Sequence, residues 1–250
     1  VFPQTETKTA LHTMLWMLCA LTLAKSMAQL PYVGTFAVTL VAFMQLYLPL
    51  QRIDRTGLKE EALGLHMKAW SQELGVAAVL CLVFFLPYTL AYHFAMTEGH
   101  VWLVQHGWGS WAQYVPRCVW APPSLNSAMA WITALAWLFE RMLTHLLGVA
   151  LPEEVFYRGY LQKVFQQNTP PSVSVLGVLM GRVCLWVSIV FALAHFLGEW
   201  NPARLGPFFP SLVFAWQVNR KGSLLGAVVF HAVCNVYGEM LFRCYQSVPI

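Results

Sequence analysis

Charge is what this sequence has least of. Of its 250 residues, 10% are Asp, Glu, Lys or Arg against 58% hydrophobic, and the mean hydropathy is +0.56. Soluble domains carry about 25% charged residues, so a water-exposed globular fold is excluded. No polar stretch is long enough for a soluble domain, and there is no internal repeat or low-complexity tract. The net charge of +4 is scattered along the chain, which argues against the one-sided basic stripe of a nucleic-acid-binding protein. The six cysteines show neither CxxC nor disulfide spacing, and most lie in apolar stretches, where Cys acts as a small hydrophobe. The N-terminal region lacks the pattern of a removable signal peptide, so its first apolar segment is expected to be a retained helix.

What is present is a series of apolar runs. A membrane helix needs about 20 mostly apolar residues. Residues 10–30, 31–50 and 74–96 qualify, and 173–200, 205–218 and 223–241 supply three more, the middle one short. Residues 127–167 are apolar, then polar, and too long for one span. The expected fold is an all-α polytopic transmembrane bundle of seven or eight helices, with residues 1–250 forming one membrane-embedded domain. Between spans, residues 51–73 carry Leu58, Ala62, Leu65 and Ala69 at helical spacing, which predicts an interfacial helix. Residues 97–126, with Trp102, Trp108, Trp111 and Trp120, read as an aromatic-belt loop or short surface helix. Lys25 is placed to snorkel to an interface. The Lys/Arg bias of the loops puts the N-terminus in the cytoplasm.

Three polar clusters interrupt the apolar runs: Glu153-Glu154-Val-Phe-Tyr-Arg158, Phe191-Ala-Leu-Ala-His195 and His231-Ala-Val-Cys-Asn235. Ionisable groups are unfavourable in hydrocarbon by roughly 2.5–3.5 kcal/mol each, so they usually mark a site that uses them. On a helix Glu154 and Arg158 are i,i+4 neighbours and can pair, while Glu153 lies about 100° around the helix and is free for general acid or base work. Phe191 and His195 share a face, which limits hydration of the imidazole. His231 and Asn235 also share a face, and both side chains are suitable donors to an oxyanion. Helix–helix hydrogen bonding would account for any one cluster alone.

Taken together, these clusters resemble the CPBP family of intramembrane proteases, which includes the endopeptidases that trim prenylated CAAX proteins. The likeness continues through Gly159-Tyr160-Leu161-Gln162 and through Arg220-Lys-Gly-Ser-Leu-Leu-Gly226, and it covers roughly residues 136–237, within an expected catalytic core of about 136–241; Tyr157 stands where phenylalanine is common. The resemblance implies that Glu153 and His195 activate water, that His231 and Asn235 stabilise the oxyanion, and that Glu154, Arg158 and Phe191 support them. It also implies a membrane protein or lipidated peptide as substrate, the bilayer as surroundings, and no cofactor. Asn201-Pro-Ala-Arg-Leu-Gly-Pro-Phe-Phe-Pro210 with Phe214-Ala-Trp216 is similar to the bacterial myxosortase-like sorting branch, which implies a bacterial inner membrane.

Other classes stay open at this point. A glutamate and two histidines are a ligand set known in zinc sites, although no HExxH is present. Intramembrane Glu, His and Arg also build the relays of proton-coupled transporters, and a non-catalytic scaffold could keep the fold. Depth adds a condition. His231 lies roughly 13 Å into its helix, and His195 roughly 20 Å in if its helix enters at Arg182, with residues 170–181 as an interfacial piece. Glu153 meets them only if Pro152 interrupts a long helix or that helix dips into the membrane, and irregular backbone at that depth must line a water-filled cavity.

Overall fold

The structure, a computed structural model, describes residues 2–27, 30 and 32–248. Among these are eight α-helices: α1 Glu6–Ser26, α2 Val33–Arg55, α3 Trp70–Gln105, α4 Gly109–Ala112, α5 Ala128–Asn168, α6 Arg182–Phe196, α7 Phe208–Lys221 and α8 Leu225–Phe242. Two short antiparallel pairs complete the fold, β1 Cys118–Trp120 with β4 Tyr245–Ser247, and β2 Val173–Val175 with β3 Val178–Met180. The fold is all-α, since a helix satisfies its backbone groups within itself where no water is at hand.

Helices α2, α3, α5 and α8 are long and apolar enough to cross a membrane. Their outer faces suit lipid: on α3, Leu82 is 80% exposed and Leu86 and Leu90 are also exposed, a surface that water would not tolerate. Helix α6, of 15 residues, reaches only about 22 Å.

Several expected boundaries shift. The first helix ends at Ser26 rather than at residue 30, with Ala28 and Gln29 outside the described residues. Pro31, the expected start of the second span, also lies outside them, and α2 runs from Val33. The third span extends to Gln105. Of residues 173–200 only Arg182–Phe196 is α-helix, because residues 173–180 form the β2–β3 hairpin; a helix starting at Arg182 is what the depth of His195 required. The interfacial helix expected in 51–73 is replaced by one tight turn, Glu60–Leu63. Gly57 and Gly64, with φ of 68° and 90°, stop helix propagation on either side of it. Gly64 is also a point of close approach: a Cβ there would lie 2.6 Å from the Gly222 carbonyl oxygen.

Residues 127–167, expected to need an interruption, are one helix. Of its 41 residues, Pro152 is the one that cannot donate a backbone hydrogen bond. The hydrogen-bond ladder loosens on both sides of it, into wide turns at Thr144–Ala150 and Val155–Gln162. Such wide turns absorb a local break without ending the helix.

The chain divides into two compact units, Val1–Ala77 with Leu146–His231 and Ala78–His145 with Ala232–Ile250. In the first, Val155, Phe156, Tyr160 and Leu161 of α5 are fully buried. Arg52 of α2 grips Glu6 of α1 with two bonds of 2.8 and 2.7 Å, and the Tyr160 hydroxyl donates to the same carboxylate. Bidentate charge-assisted bonds of this kind fix three helices at one point. In the second unit, Tyr237 stacks on Phe85 at 4.0 Å, and the His145 ring meets Glu239 at 2.9 Å.

Gly159 sets how closely α5 approaches the turn at Leu63. A Cβ on residue 159 would lie 2.8 Å from the Leu63 carbonyl oxygen and 3.3 Å from Leu224. Gly159→Ala is therefore expected to lower stability by about 1–3 kcal/mol through overpacking, read as a lower Tm of the detergent-solubilised protein. An unchanged Tm would mean that this packing is loose.

Candidate functional site

The first cluster sits where α5 loosens. Leu151–Glu154 is a single α-helical turn between the two wide stretches, with Pro152 in its first turn. Consecutive positions on that turn point their side chains in different directions, and the two glutamates separate accordingly. Glu154 is fully buried, while the Glu153 side chain is 16% exposed.

Glu154 meets Arg158 as the i,i+4 spacing implies, with Oε1 3.2 Å from Nη1, both side chains fully buried. Arg158 Nη2 donates to Ser211 Oγ at 2.5 Å and lies 3.3 Å from the Ser211 carbonyl oxygen. The guanidinium also lies over two rings, 4.5 Å from the centre of Phe191 and 5.2 Å from that of Phe214. Cation–π contacts gain strength when the cation is desolvated, as it is here. The charge is thus held by a carboxylate, a hydroxyl and two aromatic faces.

His231 lies beside the same carboxylate. Its Nδ1 is 2.9 Å from Glu154 Oε1, and Nε2 is 3.7 Å from Glu153 Oε2. A carboxylate that holds Arg158 accepts rather than donates, so Nδ1 carries a proton and Nε2 is turned toward Glu153. The imidazole stacks on Phe214, with centres 4.7 Å apart and planes at 16°.

His195 takes its orientation from its own helix. Its Nδ1 is 2.8 Å from the Phe191 carbonyl oxygen, one turn earlier. Only the protonated nitrogen can serve that oxygen, so Nε2 carries the free lone pair. The Phe191 ring lies 4.5 Å from His195, 5.8 Å from His231 and 5.1 Å from Tyr157. Phe191 does more than shield His195, since the same ring also faces Arg158.

Glu153, Glu154, Arg158, Phe191, His195 and His231 all belong to the first unit. Asn235 belongs to the second, half-buried on α8 one turn beyond His231, and its amide makes no hydrogen bond to a described residue. Sequence reasoning missed Ser211 and the stacking role of Phe214. Ser211 is one small polar residue in an aromatic stretch, and no spacing rule points from it to Arg158.

Glu153 Oε2 is buried without a hydrogen-bond partner among the described residues, as is Glu154 Oε2, but of the two side chains only that of Glu153 is partly exposed. A buried carboxylate oxygen calls for a donor, so this atom is suited to meet water or substrate. A hollow of about 530 Å³ lies elsewhere, lined by Ile189, Ala192, Leu193, Pro202 and Phe208 among others, and is apolar. Among the described residues no group of three or more His, Cys, Asp or Glu is placed to hold a metal ion.

The sequence model of the family described as type II CAAX prenyl endopeptidase Rce1-like matches residues 134–237. The matched stretch includes all three clusters and leaves α1, α2 and α3 outside. No curated protein and no solved structure matches the chain.

Removing one partner of a buried ion pair leaves an uncompensated charge. Arg158→Met is expected to lower stability by about 3–5 kcal/mol in denaturant titrations of the solubilised protein. The double variant Arg158→Met, Glu154→Gln should recover part of that loss, because the orphaned charge goes too. Equal losses in the single and double variants would show that the pair is not the cause.

Proposed function

We propose that the chain is a membrane peptidase of the CPBP type, which its Rce1-like residues 134–237 support, and that it carries out a metal-free, glutamate-based hydrolysis of a peptide bond near the membrane-associated C-terminal part of a protein substrate. The observation that carries this reading is the buried Glu153 Oε2, which has no hydrogen-bond partner among the described residues and lies 3.7 Å from His231 Nε2 on a partly exposed side chain.

In the proposed step a water sits between Glu153 and His195. His195 Nε2, the free acceptor, orients the water, and Glu153 takes its proton as the oxygen attacks the scissile carbonyl. The carbonyl oxygen becomes an oxyanion that accepts hydrogen bonds from His231 Nε2 and the Asn235 amide. For this His231 must be protonated on both nitrogens, with Glu154 holding the Nδ1 proton at 2.9 Å. The C–N bond then breaks, and the proton held by Glu153 passes to the leaving amine. Arg158 balances Glu154 and takes no part in proton transfer.

Residues 1–250 work as one membrane-embedded protease domain in this reading, with a catalytic core at about 136–241. The substrate is a membrane protein or lipidated peptide. A prenylated C-terminal peptide, a leader peptide and a bacterial sorting signal all fit this reading, the last through the likeness of residues 201–210. The N-terminus faces the cytoplasm, because the loop after α2 and the Arg220-Lys221 turn concentrate basic residues on one side. A cysteine introduced near Lys8 should be blocked by a membrane-impermeant thiol reagent only in inverted vesicles; blocking in intact cells would reverse the orientation.

Glu153→Ala and His195→Ala should each reduce cleavage by at least about 100-fold without loss of folded protein. Mass spectrometry of membrane-protein termini, comparing wild type with Glu153→Ala, would identify the substrate by a terminus that changes. Strong chelators should leave activity intact. Unchanged termini would end the peptidase assignment for this site, and activity lost to chelators and restored by zinc would replace its chemistry.

A further inference from the structure

The last turn of α6 carries His195, and its exposed carbonyls have unusual partners. An α-helix leaves its final four carbonyl oxygens without intrahelical donors. In α6 the Leu193 carbonyl accepts from the Leu197 amide at 2.8 Å, and that of Phe196 from the Trp200 amide at 2.9 Å. The two between them, Ala194 and His195, accept from Lys25 Nζ of α1, at 3.0 and 2.8 Å. One ammonium from a distant part of the chain thus completes this helix end.

The approach is close and built in. Gly198 follows the turn with φ of 90°, and a Cβ there would lie 2.7 Å from Lys25 Cβ and 3.0 Å from the Thr22 carbonyl oxygen. Any side chain at 198 would push α1 away. Lys25 Nζ also lies 3.3 Å from Glu199 Oε1, and Glu199 is held in turn by Arg204. Burial works against the Glu199 carboxylate, but Arg204 and Lys25 outweigh it and hold its carboxyl below the usual range. The cation is therefore fixed by two carbonyls, a carboxylate and a glycine that admits it. It is not turned out toward an interface, as its position in the sequence suggested.

We infer that Lys25 is a positioning residue for His195: by holding the Ala194 and His195 carbonyls it keeps the last turn of α6 closed and the His195 ring aimed. The Phe191 carbonyl that orients Nδ1 belongs to the preceding turn, so fraying of the helix end releases both backbone and ring. A cation at a helix C-terminus also has favourable dipole interactions. Lys25 lies outside the stretch matched by the family model, so this is a feature of this chain's own N-terminal helix.

The inference rests on His195 being a catalytic group, and the test separates the two. Diethyl pyrocarbonate labels accessible imidazole nitrogens, and peptide mass spectrometry gives the rate at each histidine of the full chain in detergent. Lys25→Met should label His195 severalfold faster than wild type, Lys25→Arg should restore the slow rate, and His231, buried on another helix, should be unaffected. Glu199→Gln, a milder change, should move His195 in the same direction by less. An unchanged His195 rate in these variants, or rates that rise together at His195 and His231, would overturn the positioning role. In the cleavage assay Lys25→Met should lower kcat roughly tenfold or more with KM nearly unchanged. Labelling decides the role of Lys25 whether or not Glu153→Ala abolishes cleavage.

Discussion

The structure around the site depends on one buried charge pair. Glu154 and Arg158 are both fully buried, 3.2 Å apart, in a protein whose surroundings offer little water to stabilise either. Neither charge is tolerable alone in such a place, and each must find every partner it can. Those partners lie on the other helices of the first unit. Ser211 and Phe214 of α7, Phe191 of α6 and His231 of α8 all reach the pair. The partners found by this arginine and glutamate therefore bring together the helices that carry the remaining candidate residues, although Glu154 Oε2 and Arg158 Nε and Nη1 keep no hydrogen-bond partner among the described residues.

Two adjacent glutamates acquire different roles from the same geometry. Each keeps one buried oxygen without a hydrogen-bond partner among the described residues, but Glu154 is fully buried with its Oε1 on Arg158 and His231, whereas the Glu153 side chain is partly exposed. Pro152 contributes by opening the ladder on both sides of that turn without breaking the helix. The histidines diverge in the same way. His231 Nδ1 bonds to a carboxylate side chain and His195 Nδ1 to a backbone oxygen, so the two rings are oriented by different partners.

The N-terminal helix is less peripheral than its composition suggests. Glu6 is gripped by Arg52 and Tyr160, and Lys25 closes the end of α6. Helix α1 thus braces α5 near one end and α6 near the other, and both of those helices carry site residues. The matched stretch carries the clustered glutamates and histidines, and α1 supplies part of their frame.

Much of this was legible from local spacing. The apolar runs imply helices and a bilayer because hydrocarbon admits few other structures. The i,i+4 pairs, Glu154 with Arg158 and Phe191 with His195, follow from helical pitch alone, as does the separation of Glu153 from Glu154. The start of α6 at Arg182 was implied by the depth at which His195 has to lie. Other features involve residues far apart in the chain, and no periodicity encodes them. Ser211 under Arg158, Phe214 stacked on His231, and Lys25 turned inward to the His195 carbonyls depend on which helices pack together. The tight turn at residues 60–63 depends on Gly64 meeting the Gly222 carbonyl, again a distant partner. The sequence by itself determined the helices, the groups able to do chemistry and the face each occupies, because these are set by covalent spacing and pitch. What surrounds Arg158, what holds His231 and what closes the end of α6 came from the tertiary packing, because buried charges and helix ends must be satisfied by whatever the fold brings beside them.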